Sequence, residues 1–202
     1  MTPPASRKNF WTVFILFNLV ALPGLFLINQ RAAHWREASR EKPLPVYGAL
    51  GPFQLKEKSG RAFGLKDLQG KPWIANFMFT RCPNECPAMN FKISLLQDTL
   101  KNKATLVSFS VDPEKDTPEA LGDYAKRFNA KEGVWFFLTG PKPVIGRLLE
   151  DCHFAKADDP LLHALRLVLI DGRGRIRGYY DYADGLLAKK LTRDLALLKE
   201  KG

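Results

Sequence analysis

The segment from Trp73 to Phe79 (WIANFMF) is almost continuously apolar, and it ends abruptly before two cysteines, Cys82 and Cys86. A short apolar run of this kind is typical of a β-strand that is buried on both faces. Pro87 suits the first turn of a helix, and the apolar residues that follow recur at helical spacing through Leu100. The chain must therefore bury this strand between two layers, with the cysteines at a strand-to-helix junction.

The same alternation continues along the chain. Residues 105–111 (TLVSFSV) and 134–138 (VWFFL) are two further candidates for buried strands. Helical patterns begin near Thr117, span residues 142–151 and run from about residue 184 to residue 199. Alternating strands and helices predict parallel strands that are covered by helices through right-handed crossovers.

Two hairpins are predicted at the ends of this array. The first pairs residues 53–55 with 61–63, and the second pairs 165–170 with 175–180 around the turn sequence 171–174 (DGRG). We therefore predict an α/β, thioredoxin-like fold with an N-terminal and a C-terminal β-hairpin. The cysteine pair would lie at the carboxyl end of a central strand, where open α/β sheets place their active sites.

The N-terminal part of the chain has a different character. Residues 10–28 carry no charge, and nineteen residues of helix span about 30 Å, the thickness of the hydrocarbon core of a bilayer. Basic residues precede this segment, and no small-residue cleavage pattern follows it. We predict a short segment at 1–9, one transmembrane helix at 10–28, a tether at 29–50 and a folded domain at 51–202. The domain is expected on the periplasmic side of the inner (cytoplasmic) membrane.

The net charge of +10 arises from 31 lysines and arginines against 21 acidic residues. These charges are dispersed rather than arranged as a basic stripe with aromatic residues, so the sequence argues against nucleic-acid binding. Attraction to anionic lipid or to an acidic protein explains the balance. The three cysteines allow at most one disulfide within the chain.

The cysteine pair admits three interpretations. A structural disulfide across three intervening residues would contribute little chain entropy. A redox dithiol at a helix N-terminus, where the helix dipole lowers thiol pKa, is chemically reasonable, although dedicated oxidoreductases have two residues between their cysteines. A metal site needs a third ligand. Two thiolates suit Cu(I) or Zn, and an added imidazole gives a three-coordinate site that is well matched to copper.

The three histidines are not equivalent candidates for that third ligand. His34 lies in the predicted tether, and His153 ends a predicted helix, where a capping role is more consistent with its position. Its neighbour Cys152 is expected to be a buried thiol. His163 lies at the junction that starts the final hairpin, on the side that a thioredoxin-like sheet turns toward the cysteine loop. His163 is therefore the candidate ligand.

Three segments in this order resemble the Sco/SenC family of copper-binding, thioredoxin-like proteins. They are FMFTRCPNECPAMN at 77–90, SVDPEKDTPEAL at 110–121 and LHALRLVLIDGRGRIRGYYD at 162–181. The resemblance covers roughly residues 50–200. It implies copper ligands at Cys82, Cys86 and His163. It departs from the family pattern at Ala164, where many members have serine.

The resemblance also implies a function. Family members assist assembly of the binuclear copper centre of cytochrome c oxidase, so the implied activity is a membrane-anchored copper chaperone. Its expected partners are the copper-bearing oxidase subunit and other copper carriers. The alternative is a thiol–disulfide oxidoreductase that uses Cys82 and Cys86 as a catalytic redox pair, or a disulfide, without obligate metal. Asp112, at the end of the second buried strand, is a candidate for hydrogen bonding to a copper ligand, or for a loop cap.

Overall fold

The computed structural model describes residues 42–83, 85–154 and 165–199. Within these ranges eight strands form one sheet. The strands are β1 (Gly48–Ala49), β2 (Gln54–Glu57), β3 (Ala62–Gly64), β4 (Trp73–Met78), β5 (Thr105–Ser110), β6 (Trp135–Thr139), β7 (Arg166–Ile170) and β8 (Arg175–Asp181). The helices are a 3-10 helix at Leu65–Leu68 and α1 (Glu85–Leu100), α2 (Pro118–Arg127), α3 (Lys142–Asp151) and α4 (Leu187–Lys199).

The sheet is mixed, with the order β1-β8-β7-β4-β5-β6-β2-β3. Strands β4, β5 and β6 are parallel, as their helical crossovers require. The C-terminal hairpin pairs antiparallel with β4 through β7, and the N-terminal hairpin pairs antiparallel with β6 through β2. The predicted α/β architecture with a hairpin at each end is therefore confirmed.

The central strand β4 is buried on both faces, because successive side chains point into different cores. Ile74 and Met78 pack in a core with residues of α1, α2 and α4. Trp73, Ala75 and Phe77 pack in a second core with residues of α3. All five side chains are at most 2 % exposed. Burial of each larger apolar side chain contributes about 1.5–3 kcal/mol, which fixes the end of β4 as a rigid platform.

Residues before Gly51, the expected start of the domain, already pair with the sheet. Strand β1 pairs Gly48 with Ile176 of β8, and Leu50 N–H donates to the carbonyl of Gly174 at 2.9 Å. Helix α4 begins three residues later than the pattern suggests. Its predicted first residue, Asp184, instead accepts the N–H of Leu186 at 2.7 Å through its side chain.

Several predictions fall on residues outside the described ranges. They are the segment at 1–9, the membrane segment at 10–28, the part of the tether before residue 42 with His34, the candidate ligand His163, and Ala164. Among the helices of residues 42–83, 85–154 and 165–199, none has both the length and the apolar character needed to cross a membrane.

Candidate functional site

The two cysteines that follow β4 lie next to each other at the start of α1. Cys82 is half-buried in the loop, and Cys86, in the first turn of the helix, is 4 % exposed. The N–H of Cys86 donates a hydrogen bond to Sγ of Cys82 at 3.3 Å. Cys86 is a free thiol. A sulfur that receives a backbone donor at a helix N-terminus is in the setting that supports thiolate chemistry.

The thiol of Cys86 is held in its protonated form. Burial raises the pKa of Cys86 to about 12, and the hydrogen bond with Cys82 adds to the rise, while a backbone hydrogen bond with Phe79 opposes it. The expectation that the helix end lowers the thiol pKa is therefore wrong for Cys86, because burial outweighs the helix terminus. Binding of a metal ion or formation of a disulfide must remove this proton, so either event releases it.

We call the segment between β4 and α1, which carries Cys82, the cysteine loop. Its base is hydrogen-bonded to Asp116, which is 0 % exposed. Oδ1 of Asp116 accepts the hydroxyl of Thr80 at 2.6 Å, and Oδ2 accepts the N–H of Thr80 at 3.0 Å and the hydroxyl of Ser110 at 2.6 Å. Three donors converge on one buried carboxylate, which is the arrangement that stabilises a buried charge. Asp116 therefore fixes the residue two positions before Cys82.

The predicted supporting residue, Asp112, occupies a different place in the same loop. Its carboxylate lies 3.3 Å from the guanidinium of Arg81, the neighbour of Cys82. Its backbone N–H donates to Ser110 Oγ at 3.1 Å, and its carbonyl accepts the N–H of Asp116 at 2.9 Å. Asp112 therefore shapes the turn that delivers Asp116 and contacts the exposed side of the cysteine loop.

A hydrogen bond connects the start of α1, beside the cysteine loop, to the end of the C-terminal hairpin. The hydroxyl of Tyr182, which directly follows β8, donates a hydrogen bond to the carboxylate of Glu85, which directly precedes Cys86. This hydrogen bond raises the pKa of Tyr182 to about 12. The contact spans 97 positions of sequence and brings the open end of the hairpin to the cysteines.

A chain of buried polar side chains continues beneath Cys86. Asn90, one helical turn after Cys86, donates to the hydroxyl of Tyr124 at 3.0 Å and accepts from Asn76 of β4 at 3.0 Å. Ser108 of β5 donates to Asn76 at 2.6 Å. The members named here are at most 3 % exposed. A satisfied network of this kind locks the rotation of α1 against the sheet and so sets the position of Cys86.

The other predicted residues lie away from this loop or outside the described residues. Cys152 is 1 % exposed in the core on the opposite face of the sheet, and burial raises its pKa to about 12. His153 caps α3, where its N–H donates to the carbonyl of Glu150 at 2.9 Å, and its Nε2 lies 3.3 Å from the carbonyl of Tyr47. The described ranges contain no cluster of three or more His, Cys, Asp or Glu residues that could hold a metal ion.

Sequence reasoning missed Asp116, Tyr182 and the network around Asn90. Their contacts with the strand and loop residues Asn76, Thr80 and Glu85 span 14 to 97 positions of sequence, and a local pattern carries no information on such contacts. One usable signal existed for Asp116, because it directly precedes a Thr-Pro helix start and can therefore turn back toward the strand ends.

A family model described as SCO1/SenC matches residues 44–199. The chain is 36 % identical over 99 residues to a SCO1 protein homolog of Bacillus subtilis, which covers 48 % of this chain and 51 % of the relative. It is 31 % identical over 135 residues to the mitochondrial SCO1 homolog of Homo sapiens, which covers 63 % of this chain and 44 % of the relative. The chain thus spans about half the length, or less, of these curated relatives.

Solved structures of Sco-family proteins also match this chain. A SCO1/SenC family lipoprotein from Bacillus anthracis superposes with a TM-score of 0.69 at 33 % identity, over 79 % of this chain and 98 % of that one. BsSco, described as a member of the Sco family of cytochrome c oxidase assembly proteins with a disulfide switch, gives 0.68 at 26 % identity, over 80 % and 98 %. Bradyrhizobium japonicum ScoI with copper bound gives 0.59 at 25 % identity, over 74 % and 99 %.

Proposed function

This chain belongs to the SCO1/SenC family, and from that premise we propose that it is a membrane-anchored copper chaperone that supports assembly of the binuclear copper centre of cytochrome c oxidase. The proposed anchor is the uncharged segment 10–28, with the domain on the periplasmic side of the inner membrane. The proposed partners are the copper-bearing oxidase subunit and other copper carriers. Copper is the cargo, in keeping with the copper-bound Bradyrhizobium relative.

The observation that carries this proposal is the contact between the two cysteines. The N–H of Cys86 lies 3.3 Å from Sγ of Cys82, at the carboxyl end of β4 and the start of α1. Two sulfurs of one strand-to-helix junction form a soft donor pair, and thiolate donors favour Cu(I) or Zn over hard cations. The donor set therefore fits copper.

The proposed third ligand is His163. Strand β7 runs antiparallel to β4, with Val168 opposite Ala75, and its first residue, Arg166, lies opposite Asp181 near the contact between Tyr182 and Glu85. The strand that follows His163 in sequence therefore begins at the edge of the sheet that carries the cysteines. This direction supports an imidazole ligand from the segment before β7.

The cysteine loop has two features that suit the uptake and release of copper. Cys82 is the accessible sulfur, so an incoming acceptor thiolate reaches it before the buried Cys86. Asp116 holds the loop in place, so exchange of ligands does not require the loop to refold. Each cysteine gives up its proton on loading, and affinity for copper should therefore rise with pH.

The second candidate function is thiol–disulfide exchange, and the proximity of the same two thiols favours it. The thiolate of Cys82 would attack a partner disulfide, form a mixed disulfide and release one partner thiolate. The thiolate of Cys86 would then attack Sγ of Cys82 and release the second. Two electrons pass to the partner, and a disulfide remains between Cys82 and Cys86. The partner cysteines would be those of the oxidase copper site or of other exported proteins.

Copper titration of the reduced full-length chain separates the two functions. We expect thiolate-to-metal absorption at one equivalent in the wild type. Binding should be weakened by at least about tenfold in His163→Ala, because even loss of a residue that only supports a ligand typically costs about 10–100-fold in metal affinity. His153→Ala is the matched control, because His153 caps α3 and should leave binding unchanged.

Disulfide exchange with a model disulfide is measured on the same variants and should be largely intact in both. Equal copper affinity in the wild type and His163→Ala would rule out the proposed ligand set. A chain that takes up no copper but reduces disulfides would establish the second function instead.

A further inference from the structure

An open cavity of about 730 Å³ lies at the end of the sheet opposite the cysteines. It is bounded by the residues before β4, the turn between β7 and β8, and the C-terminal ends of α1 and α4. Because β4 is six residues long, this end lies about 20 Å from the cysteine loop. The cavity is therefore separate from the proposed copper site.

The lining of this cavity is strongly basic. Its charged members are one carboxylate and five cations, namely Asp171, Lys71, Lys103, Arg173, Arg175 and Arg177. Asp171 accounts for two of the cations, since its carboxylate contacts Arg175 and Arg177, each at 2.8 Å. Within the described ranges, Lys71, Lys103 and Arg173 have no carboxylate at ion-pair distance.

One of these three cations has a local structural explanation. Lys103 follows the C-terminus of α1, where the helix dipole favours a positive charge. Lys71 and Arg173 are exposed and lie on loops, so neither has that role. Clustering three unneutralised cations costs free energy through repulsion, and an anionic ligand removes that cost. We call Lys71, Lys103 and Arg173 the basic pole.

The polypeptide that leads to the N-terminal segment enters the domain at this cavity. Pro43 and Leu44 are part of its lining. Arg177 fixes Leu44 and Pro45, because its Nη2 donates to the carbonyl of Leu44 at 2.6 Å and its Nε donates to that of Pro45 at 2.9 Å. A proposed anchor upstream would therefore join the domain at the end that carries the basic pole.

We propose that the basic pole binds the phosphate headgroups of anionic phospholipids and thereby orients the domain with its cysteine loop away from the bilayer. Phosphate is the ligand that arginine and lysine match in charge and geometry. Tethering supplies a high local concentration of lipid at this end of the domain, which an acidic protein partner would not have. The proposal depends on the proposed function only for membrane attachment and is independent of copper.

The full-length chain is mixed with vesicles of phosphatidylcholine alone or with added phosphatidylglycerol. Flotation and amide hydrogen exchange of segments 69–72 and 171–175 are measured at low and high salt. We expect slower exchange at both segments only with phosphatidylglycerol, and loss of this protection at high salt. Each cation near an anionic surface strengthens binding about fivefold, so the triple variant Lys71→Gln, Lys103→Gln, Arg173→Gln should weaken docking on the order of a hundredfold.

The matched control is the triple variant Lys92→Gln, Lys115→Gln, Lys189→Gln, which removes three exposed cations elsewhere on the domain. It should keep the protection. Equal exchange with both lipids, protection that survives in the basic-pole variant, or protection at the cysteine loop would overturn the proposal.

The two proposals fail in distinguishable ways. Failure to float with phosphatidylcholine would remove the proposed anchor, whereas salt-sensitive flotation with phosphatidylglycerol that is lost only in the basic-pole variant would still establish the basic pole. Failure to float with either lipid would overturn both lipid docking and anchoring. Copper titration of the basic-pole variant should match the wild type, since the cavity lies at the far end of β4.

Discussion

The carboxylate of Asp116 holds Thr80 by two hydrogen bonds, one from the backbone N–H at 3.0 Å and one from the hydroxyl at 2.6 Å. Asp116 follows β5 and Thr80 follows β4, so the contact ties together the loops at the ends of two neighbouring strands. The carboxylate is 0 % exposed and also accepts a hydrogen bond from Ser110. These three hydrogen bonds to one buried carboxylate therefore hold the base of the cysteine loop.

Asp116→Asn should lower the free energy of unfolding by about 2–4 kcal/mol, because one oxygen becomes an NH₂ group that faces buried donors. Denaturant titration of the reduced chain measures this change. Asp123→Asn is the matched control. Asp123 is exposed and its carboxylate pairs with Lys126 at the surface, so that variant should stay within about 0.5 kcal/mol of the wild type. Equal stability of the two variants would contradict the role given to Asp116.

Much of the fold could be predicted because burial dictates the pattern. Strand β4 lies within the segment expected at 73–79, and α3 has the expected bounds Lys142–Asp151. Both elements satisfy a local rule, namely a continuous apolar run or apolar residues at helical spacing. Strand β1 could not be predicted in this way, because its two residues are held by pairing with β8, more than 120 positions away.

The position of the two cysteines at the end of β4 could be predicted, because a local pattern gives it. The cysteines are marked by their own chemistry and by the strand before them. The sequence does not show which of Asp112 and Asp116 holds the cysteine loop at its base, because both lie in one polar loop. They differ in their distant partners. Asp112 contacts Arg81 at the surface, whereas Asp116 turns inward to Thr80. A sequence pattern that gives the position of an acid does not give the direction of its side chain.

Tyr182→Phe should loosen the cysteine loop with little effect on overall stability. The variant removes the hydroxyl that donates to Glu85, and an exposed hydrogen bond of this kind contributes about 0.5–1 kcal/mol. We expect the amide of Cys86 to exchange with solvent about two- to fivefold faster. Hydrogen exchange read by NMR measures the rate.

Tyr47→Phe serves as the control for this prediction, because Tyr47 is 52 % exposed and its backbone N–H is bonded to Ile176 of β8 rather than to the cysteine loop. Unchanged exchange at Cys86 in Tyr182→Phe would show that the hairpin does not restrain the loop.

Asp171 should give the domain an acid-sensitive component of stability. Burial by itself would raise the pKa of Asp171, but hydrogen bonds from Arg177 and from the backbone of Arg175 and Arg173 outweigh it and hold the pKa below its ordinary value of 3.8. A depressed pKa in the folded state stabilises the protein above the unfolded pKa, and this contribution disappears as the pH falls through the folded pKa.

The stability of the wild type should therefore fall in acid more steeply than that of Asp171→Asn, which lacks the titrating group. Denaturant titration between about pH 6 and pH 2 measures the difference. Asp123→Asn is the control, since Asp123 is paired with Lys126 on the surface and solvent screens that pair. Parallel curves for the wild type and Asp171→Asn would contradict the prediction.

The three thiols of the reduced chain should differ in reactivity toward iodoacetamide. Alkylation requires an accessible thiolate. Cys86 and Cys152 are 4 % and 1 % exposed, and burial raises the pKa of each to about 12, so at about pH 8 both remain protonated as well as inaccessible. Cys82 is half-buried at the surface of its loop and should react at least about tenfold faster, as measured by mass spectrometry of peptides.

Denaturant is the control for this comparison, because unfolding exposes all three thiols and should make their rates similar. One equivalent of copper should suppress the reaction of Cys82 in the folded chain if this sulfur is a ligand, while Cys152 stays slow in both states. Rapid labelling of Cys86 before Cys82 would mean that the buried position of Cys86 is not maintained in solution. Cys82 could then not be the first sulfur that an acceptor reaches, and the proposed order of ligand exchange would have to be reversed.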